Sequence, residues 1–81
     1  MTRLQRFWRL VRVDPEGCWL WIGATAGKHV AYGQFWDGRR KVRASRWSYE
    51  TFVGPVAEGW QMRHRCGVKR CVRPDHLEPL P

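Results

Sequence analysis

Apolar positions at the start of the chain recur at Leu4, Phe7, Trp8 and Val11, the i, i+3, i+4, i+7 spacing of a helix with one buried face. The spacing predicts a helix over residues 2–12, with Thr2 as its cap and Arg3, Arg6, Arg9 and Arg12 mainly on its other sides. Asp14-Pro15-Glu16-Gly17 reads as a turn. From Cys18 to Ile22 the chain alternates and is rich in Trp, which predicts a strand. Residues 23–29 are small and polar and read as a loop. A second strand is expected from Ala31 to Trp36, then a hairpin turn at Asp37-Gly38 and a return strand over Arg39–Arg43. Ala44 to Val53 suits a helix with Trp47 and Phe52 facing inward, stopped by Gly54-Pro55. Trp60 to His64 looks like a short strand, residues 65–75 a loop, and His76 to Leu80 a short terminal piece.

Length limits what this pattern can build. Eighty-one residues and 9.6 kDa allow one domain. A hydrophobic content of 43% points to a folded chain. A chain of this size buries only about 60–65% of its unfolded surface, so its core is marginal and a staple is expected. Nothing approaches the apolar run needed to span a membrane. The N-terminal arginines are spread through the segment, unlike a signal peptide, so the expected location is cytoplasmic. An odd count of three cysteines in a reducing compartment disfavours a disulfide framework and favours metal binding.

Charge narrows the class of partner. Fifteen Lys+Arg against seven Asp+Glu give +8 at pH 7. Twelve of those cations are Arg, which forks onto phosphate and stacks on bases. They cluster in the first helix, in Arg39, Arg40, Lys41, Arg43 and Arg46, and in Arg63, Arg65, Lys69, Arg70 and Arg73. The competing reading is a solubilising surface, but the near absence of acids within the clusters favours a polyanion, most simply nucleic acid. Six Trp are dense for this length. Trp19 or Trp21, Trp47 and Trp8 read as core, and Trp36, beside the turn, as the best exposed candidate for stacking on bases.

The chemistry lies in the run from His64 to Leu77, which holds Cys66-x4-Cys71-x4-His76. Zinc takes four ligands from Cys sulfur and His nitrogen. Cys18 is the remaining thiol and would complete a Cys3His site. Three other readings stay open: small buried cysteines with a surface His76, a Cys66–Cys71 disulfide, and His64 in place of Cys18 as fourth ligand.

Several blocks together resemble the HNH, or His-Me finger (ββα-metal), endonucleases, especially small phage-type HNH proteins. They are Arg6-Phe7-Trp8, Gly17-Cys18-Trp19-Leu20-Trp21-Ile22-Gly23, Tyr32-Gly33-Gln34-Phe35, Arg46-x2-Tyr49-Glu50 and Phe52-Val53-Gly54-Pro55. His64-x-Cys66-x4-Cys71-x2-Pro74-x-His76-Leu77-Glu78-Pro79 closes the series, and its spacing is also similar to that of His-Cys box homing endonucleases. The resemblance implies an α+β fold over residues 1–81, a single zinc-stapled ββα-metal domain with a β-hairpin or sheet and short helices. It implies structural Zn2+ on Cys18, Cys66, Cys71 and His76, and His64 as general base. It implies Mg2+ or Mn2+ on the scissile phosphate. It also places Arg39, Arg40, Lys41, Arg43, Arg46, Arg63, Arg65 and Arg73 toward the nucleic acid, with Arg46 on phosphate.

Three departures bear on catalysis. Arg63 stands where the family usually has an Asp before the base. Ala44-Ser45-Arg46 stands in place of Ala-His-Arg. The family's metal-binding Asn or His follows the zinc His on a helix, whereas this chain ends five residues after His76, contains no Asn and has Arg73 where Asn is common. The leading expectation is an HNH-type protein that binds duplex DNA and cleaves or nicks it. The alternatives are an inactive HNH scaffold that regulates by binding DNA or a host protein, and a small zinc-binding protein of RNA or ribosomes. Cutting both strands would need two sites, so a dimer is compatible with the first.

Overall fold

Thr2 caps the first helix, α1 (Arg3–Arg9), in a reciprocal pair. The Gln5 N–H donates to Thr2 Oγ1 at 3.1 Å and the Thr2 N–H to Gln5 Oε1 at 2.8 Å. The computed structural model describes residues 1–27 and 32–81. The expected strand start at Ala31 and the end of the expected 23–29 loop lie outside the described residues.

The helix is shorter than its apolar spacing suggests. Leu10 ends it, and Val11–Val13 forms strand β1, antiparallel to β2 (Trp19–Trp21), with Val11 opposite Trp21. Val11 fits the helical stripe, but a β-branched residue opposite a buried Trp is better placed in a ladder. A two-residue strand β3 (Thr25–Ala26), in a stretch expected to be loop, pairs with β4 (Tyr32–Trp36).

β4 returns through the Asp37-Gly38 turn into β5 (Lys41–Arg43). The return strand starts later than position 39 because the Asp37 carboxylate takes the N–H groups of Arg39 and Arg40, at 2.8 and 2.9 Å. Helix α2 (Ala44–Phe52) follows directly and ends where the N–H groups of Val53 and Gly54 both return to the Tyr49 carbonyl. Strands β6 (Gln61–His64) and β7 (Leu77–Leu80) form a second antiparallel hairpin, with His64 opposite Leu77. The segment between them, expected as loop, carries Cys66 and Cys71 and a short 3-10 turn at Pro74–His76.

Phe7, Trp21, Phe35, Ala44 and Val72 form the buried core, flanked by Leu10, Val11, Trp19, Val42 and Trp47. Ring stacking joins its layers: Phe7 and Phe35 lie 4.9 and 4.8 Å from Trp47. Two expectations change. Phe52, expected inward, is 40% exposed, and Trp8, expected in the core, is 38% exposed; both lean on Trp19 at the core's edge. The buried Ser48 hydroxyl of α2 donates to the Val72 carbonyl and fastens the helix to the Cys71 segment.

Candidate functional site

Cys18 reaches the C-terminal segment through β2. The strand that begins one residue later binds the Cys71 segment by backbone bonds, Trp21 N–H to the Arg70 carbonyl and Val72 N–H to the Trp19 carbonyl, both 2.8 Å. Leu20 and Cys71 are bridge partners. Cys66 lies two residues after the end of β6, where the Gly67 N–H turns back to the His64 carbonyl at 3.0 Å with Gly67 at φ +74°, a left-handed conformation suited to glycine. His76 ends the 3-10 turn, and its carbonyl accepts the Arg65 N–H at 2.8 Å.

These devices gather one ligand atom each from Cys18, Cys66, Cys71 and His76 within 4.8 Å of one another. His76 Nδ1 lies 3.6 Å from Cys18 Sγ and 3.5 Å from Cys71 Sγ. A tetrahedral centre with metal–sulfur bonds of about 2.3 Å and metal–nitrogen bonds of about 2.0–2.1 Å has sulfur–nitrogen edges of about 3.6 Å. The donor set therefore fits a metal ion in chemistry, and its two edges at His76 fit in spacing. Burial, then the neighbouring Cys71 and Cys66 thiols, push the Cys18 thiol up to about 12. Burial raises Cys71 as well. Cys18 and Cys71 thus hold their protons until a cation replaces them.

Arg73 braces this group without belonging to it. Its guanidinium donates to the Gly17 carbonyl and to Asp75 Oδ1, both at 2.7 Å.

His64 sits beside the metal group, at the end of β6 and two residues before Cys66. It is buried, and among the described residues neither ring nitrogen has a hydrogen-bond partner. Burial, then Lys69 and Arg43, hold its pKa below the usual histidine value, so the ring is neutral at pH 7. It lines a cleft of about 420 Å³ together with Tyr32, Arg43, Ser45, Trp60 and Met62. The Arg43 guanidinium lies over the Tyr32 ring, 3.9 Å from its centroid. α2 starts at this cleft with no side-chain cap and no acid in its first turn.

The basic residues singled out in the sequence divide by the bonds they make. Arg39, Arg40, Lys41 and Arg43 are exposed on the hairpin of β4 and β5. Arg63 and Arg65 are exposed and share Glu78, at 3.9 and 3.3 Å. Arg46 lines the cleft, but its guanidinium pairs with Glu50 and donates to the Val56 and Trp60 carbonyls, which pins the segment after α2. Arg73 is likewise engaged internally. Sequence reasoning gave no role to Tyr32 or Ser45 in the cleft; Tyr32 lies in a block that carries the family resemblance and Ser45 in the Ala44-Ser45-Arg46 departure from it, which were the available signals.

No helix among the described residues is long and apolar enough to cross a membrane. Comparison with known proteins bears on the same C-terminal region. No solved structure matches the chain. The chain is 32% identical over 69 residues to "Protein 2.8" of Escherichia phage T7, a match that covers 83% of this chain and 45% of that protein. It thus spans less than half the length of this relative. Residues 42–81, which contain α2, the β6–β7 hairpin, His64 and three of the four clustered metal-type ligands, match the HNH endonuclease family. This segment is what the chain shares with the HNH endonuclease family.

Proposed function

We propose that the chain is a single zinc-stapled domain that binds duplex DNA in the cytoplasm of a host cell and seats a backbone phosphate in the His64 cleft. Zinc on Cys18, Cys66, Cys71 and His76 would supply no chemistry of its own; it would tie β2 to the β6–β7 hairpin and hold His64 in place. The observation that carries the reading is His64: buried, neutral and, among the described residues, unpaired on both nitrogens, it lines a cleft together with Arg43 and the start of α2. A neutral imidazole there can accept a proton from water attacking a phosphodiester. Arg43, fixed against Tyr32, and the uncapped first turn of α2 favour an anion at that place. Arg39, Arg40, Lys41, Arg63 and Arg65 would take flanking phosphates, while Arg46 and Arg73 hold the frame.

The Mg2+ or Mn2+ of the family chemistry does not fit this cleft. Among the described residues no Asp or Glu lines it, and the sequence contains no Asn. That observation favours a second reading, in which the same cleft binds DNA without cutting it, as a regulator that acts alone or with a host protein.

Zinc-loaded protein incubated with supercoiled plasmid and Mg2+ or Mn2+, beside a His64→Ala control, separates the two. Nicked circles that disappear in the variant support hydrolysis with His64 as base. Intact plasmid that shifts on a gel supports binding alone, and absence of both cutting and binding removes the proposal.

A further inference from the structure

Strand β4 divides its side chains between two faces. Gly33 and Phe35 are buried, whereas Tyr32, Gln34 and Trp36 share the other face. Tyr32 lines the His64 cleft. Trp36 lies four residues further along, about 13 Å at the usual rise of a strand. Its cross-strand partner is Lys41, and that of Gln34 is Arg43, so two cations stand on the same face. The face therefore runs from the cleft to an indole that is 50% exposed.

The surroundings of Trp36 are cationic. It borders a groove of about 600 Å³ that it shares with Arg6 and Arg9 of α1. Arg3 lies across the adjoining turn, where a Cβ placed on Gly38 would come within 3.1 Å of its Nε. The acid of the turn, Asp37, already accepts the N–H groups of Arg40 and Arg39, and these bonds keep its carboxyl ionised and occupied. Among the described residues, Arg3, Arg6, Arg9 and Lys41 make no salt bridge.

A large ring half in water gains free energy when its face is covered, and unpaired cations gain it when phosphates replace their counterions. A nucleic-acid strand supplies ring and phosphate in alternation. In a continuous duplex the base faces are already covered by their neighbours, so a stacking ring at a hairpin tip needs an unpaired base.

We propose that Trp36 is a stacking platform for an unpaired base, and that the face from Tyr32 to Trp36 carries a single-stranded segment whose phosphates meet Arg43, Lys41 and the arginines of α1. The preferred substrate is then nucleic acid with unpaired nucleotides a short distance from the position seated beside His64. This inference rests on the nucleic-acid-binding part of the proposed function and not on its hydrolytic chemistry.

The test is fluorescence anisotropy with the metal-loaded full chain and three labelled oligonucleotides: a single strand, a blunt duplex, and a duplex with an unpaired tail. Wild type is compared with Trp36→Ala and Trp36→Phe, with circular dichroism and bound metal as controls for folding. Trp36→Ala should weaken binding to the single strand and the tailed duplex about 5- to 150-fold, the range for one base stacked on an aromatic ring. Binding to the blunt duplex should change by less than about twofold, and Trp36→Phe should retain most of the affinity. Equal losses on all three oligonucleotides, no loss on any, or equal competition by poly-aspartate would overturn the platform. A wild type that binds blunt duplex while Trp36→Ala is silent removes only this inference. A wild type that binds none of the three removes the nucleic-acid reading with it.

Discussion

The guanidinium of Arg73 donates to the carbonyl of Gly17 at 2.7 Å, a bond across 56 positions of sequence. Gly17 precedes Cys18, and Arg73 precedes the turn that ends in His76, so one side chain aligns two of the four clustered ligands. The same guanidinium holds Asp75. Residues that orient metal ligands from outside typically change affinity about 10- to 100-fold when removed. Arg73→Ala should therefore lower metal affinity about tenfold or more, as read by competition with a chromophoric chelator. Arg73→Lys, with one donor head instead of a fork, should recover little of it. Unchanged affinity in Arg73→Ala would show that the bond is incidental to the site.

The Cys18 and Cys71 thiols set the sign of the pH dependence. Without an ion, the Cys18 thiol is raised from 9.0 to about 12 and Cys71 is raised too, so both are protonated at neutral pH. Each must lose its proton to a thiolate-binding ion, so metal affinity rises with pH and falls as protons compete. Between pH 7 and 8 a titration should release a proton from each of Cys18 and Cys71, measured as the buffer dependence of the binding heat. The metal-free fold has the opposite trend. A raised thiol contributes stability that is fully present below the ordinary value and is lost as pH climbs from 9.0 toward about 12.

Gly33 is set by a close approach. A Cβ there would lie 2.6 Å from Trp21 Cδ1 and 3.2 Å from the Ala44 side chain. Trp21 is fully buried and its Nε1 donates to the Ala24 carbonyl at 2.8 Å, so the ring cannot easily retreat. Gly33→Ala should destabilise the metal-loaded protein by about 1–3 kcal/mol in denaturant unfolding, the usual cost of overpacking a core. A smaller loss would mean that β4 can shift away from the indole.

What the sequence made legible follows from distance along the chain. Cys66, Cys71 and His76 lie within eleven residues, and a short segment needs little more than Gly67 and the Pro74 turn to bring them together. Cys18 was legible only as the remaining thiol; the bridge from Leu20 to Cys71 that delivers it is a long-range pairing with no local pattern. Helix α1 ends early because Val11 satisfies a helical stripe and a strand equally well, and its partner Trp21 is ten residues away. Arg46 and Arg73 read as surface cations because nothing local shows that their guanidinium groups serve backbone carbonyls across the fold. The strand nature of β7 was hidden for the same reason, since Leu77–Leu80 is ordered by β6.

One metal ion on Cys18, Cys66, Cys71 and His76 would hold the four together and so fix His64 at the cleft. X-ray absorption at the zinc edge of protein loaded with one equivalent of zinc reads the ligand set directly. The expected shell is three sulfur neighbours at about 2.3 Å and one nitrogen at about 2.0–2.1 Å, falling to two sulfurs in Cys18→Ser. A shell dominated by nitrogen and oxygen, or one unchanged by Cys18→Ser, would contradict it.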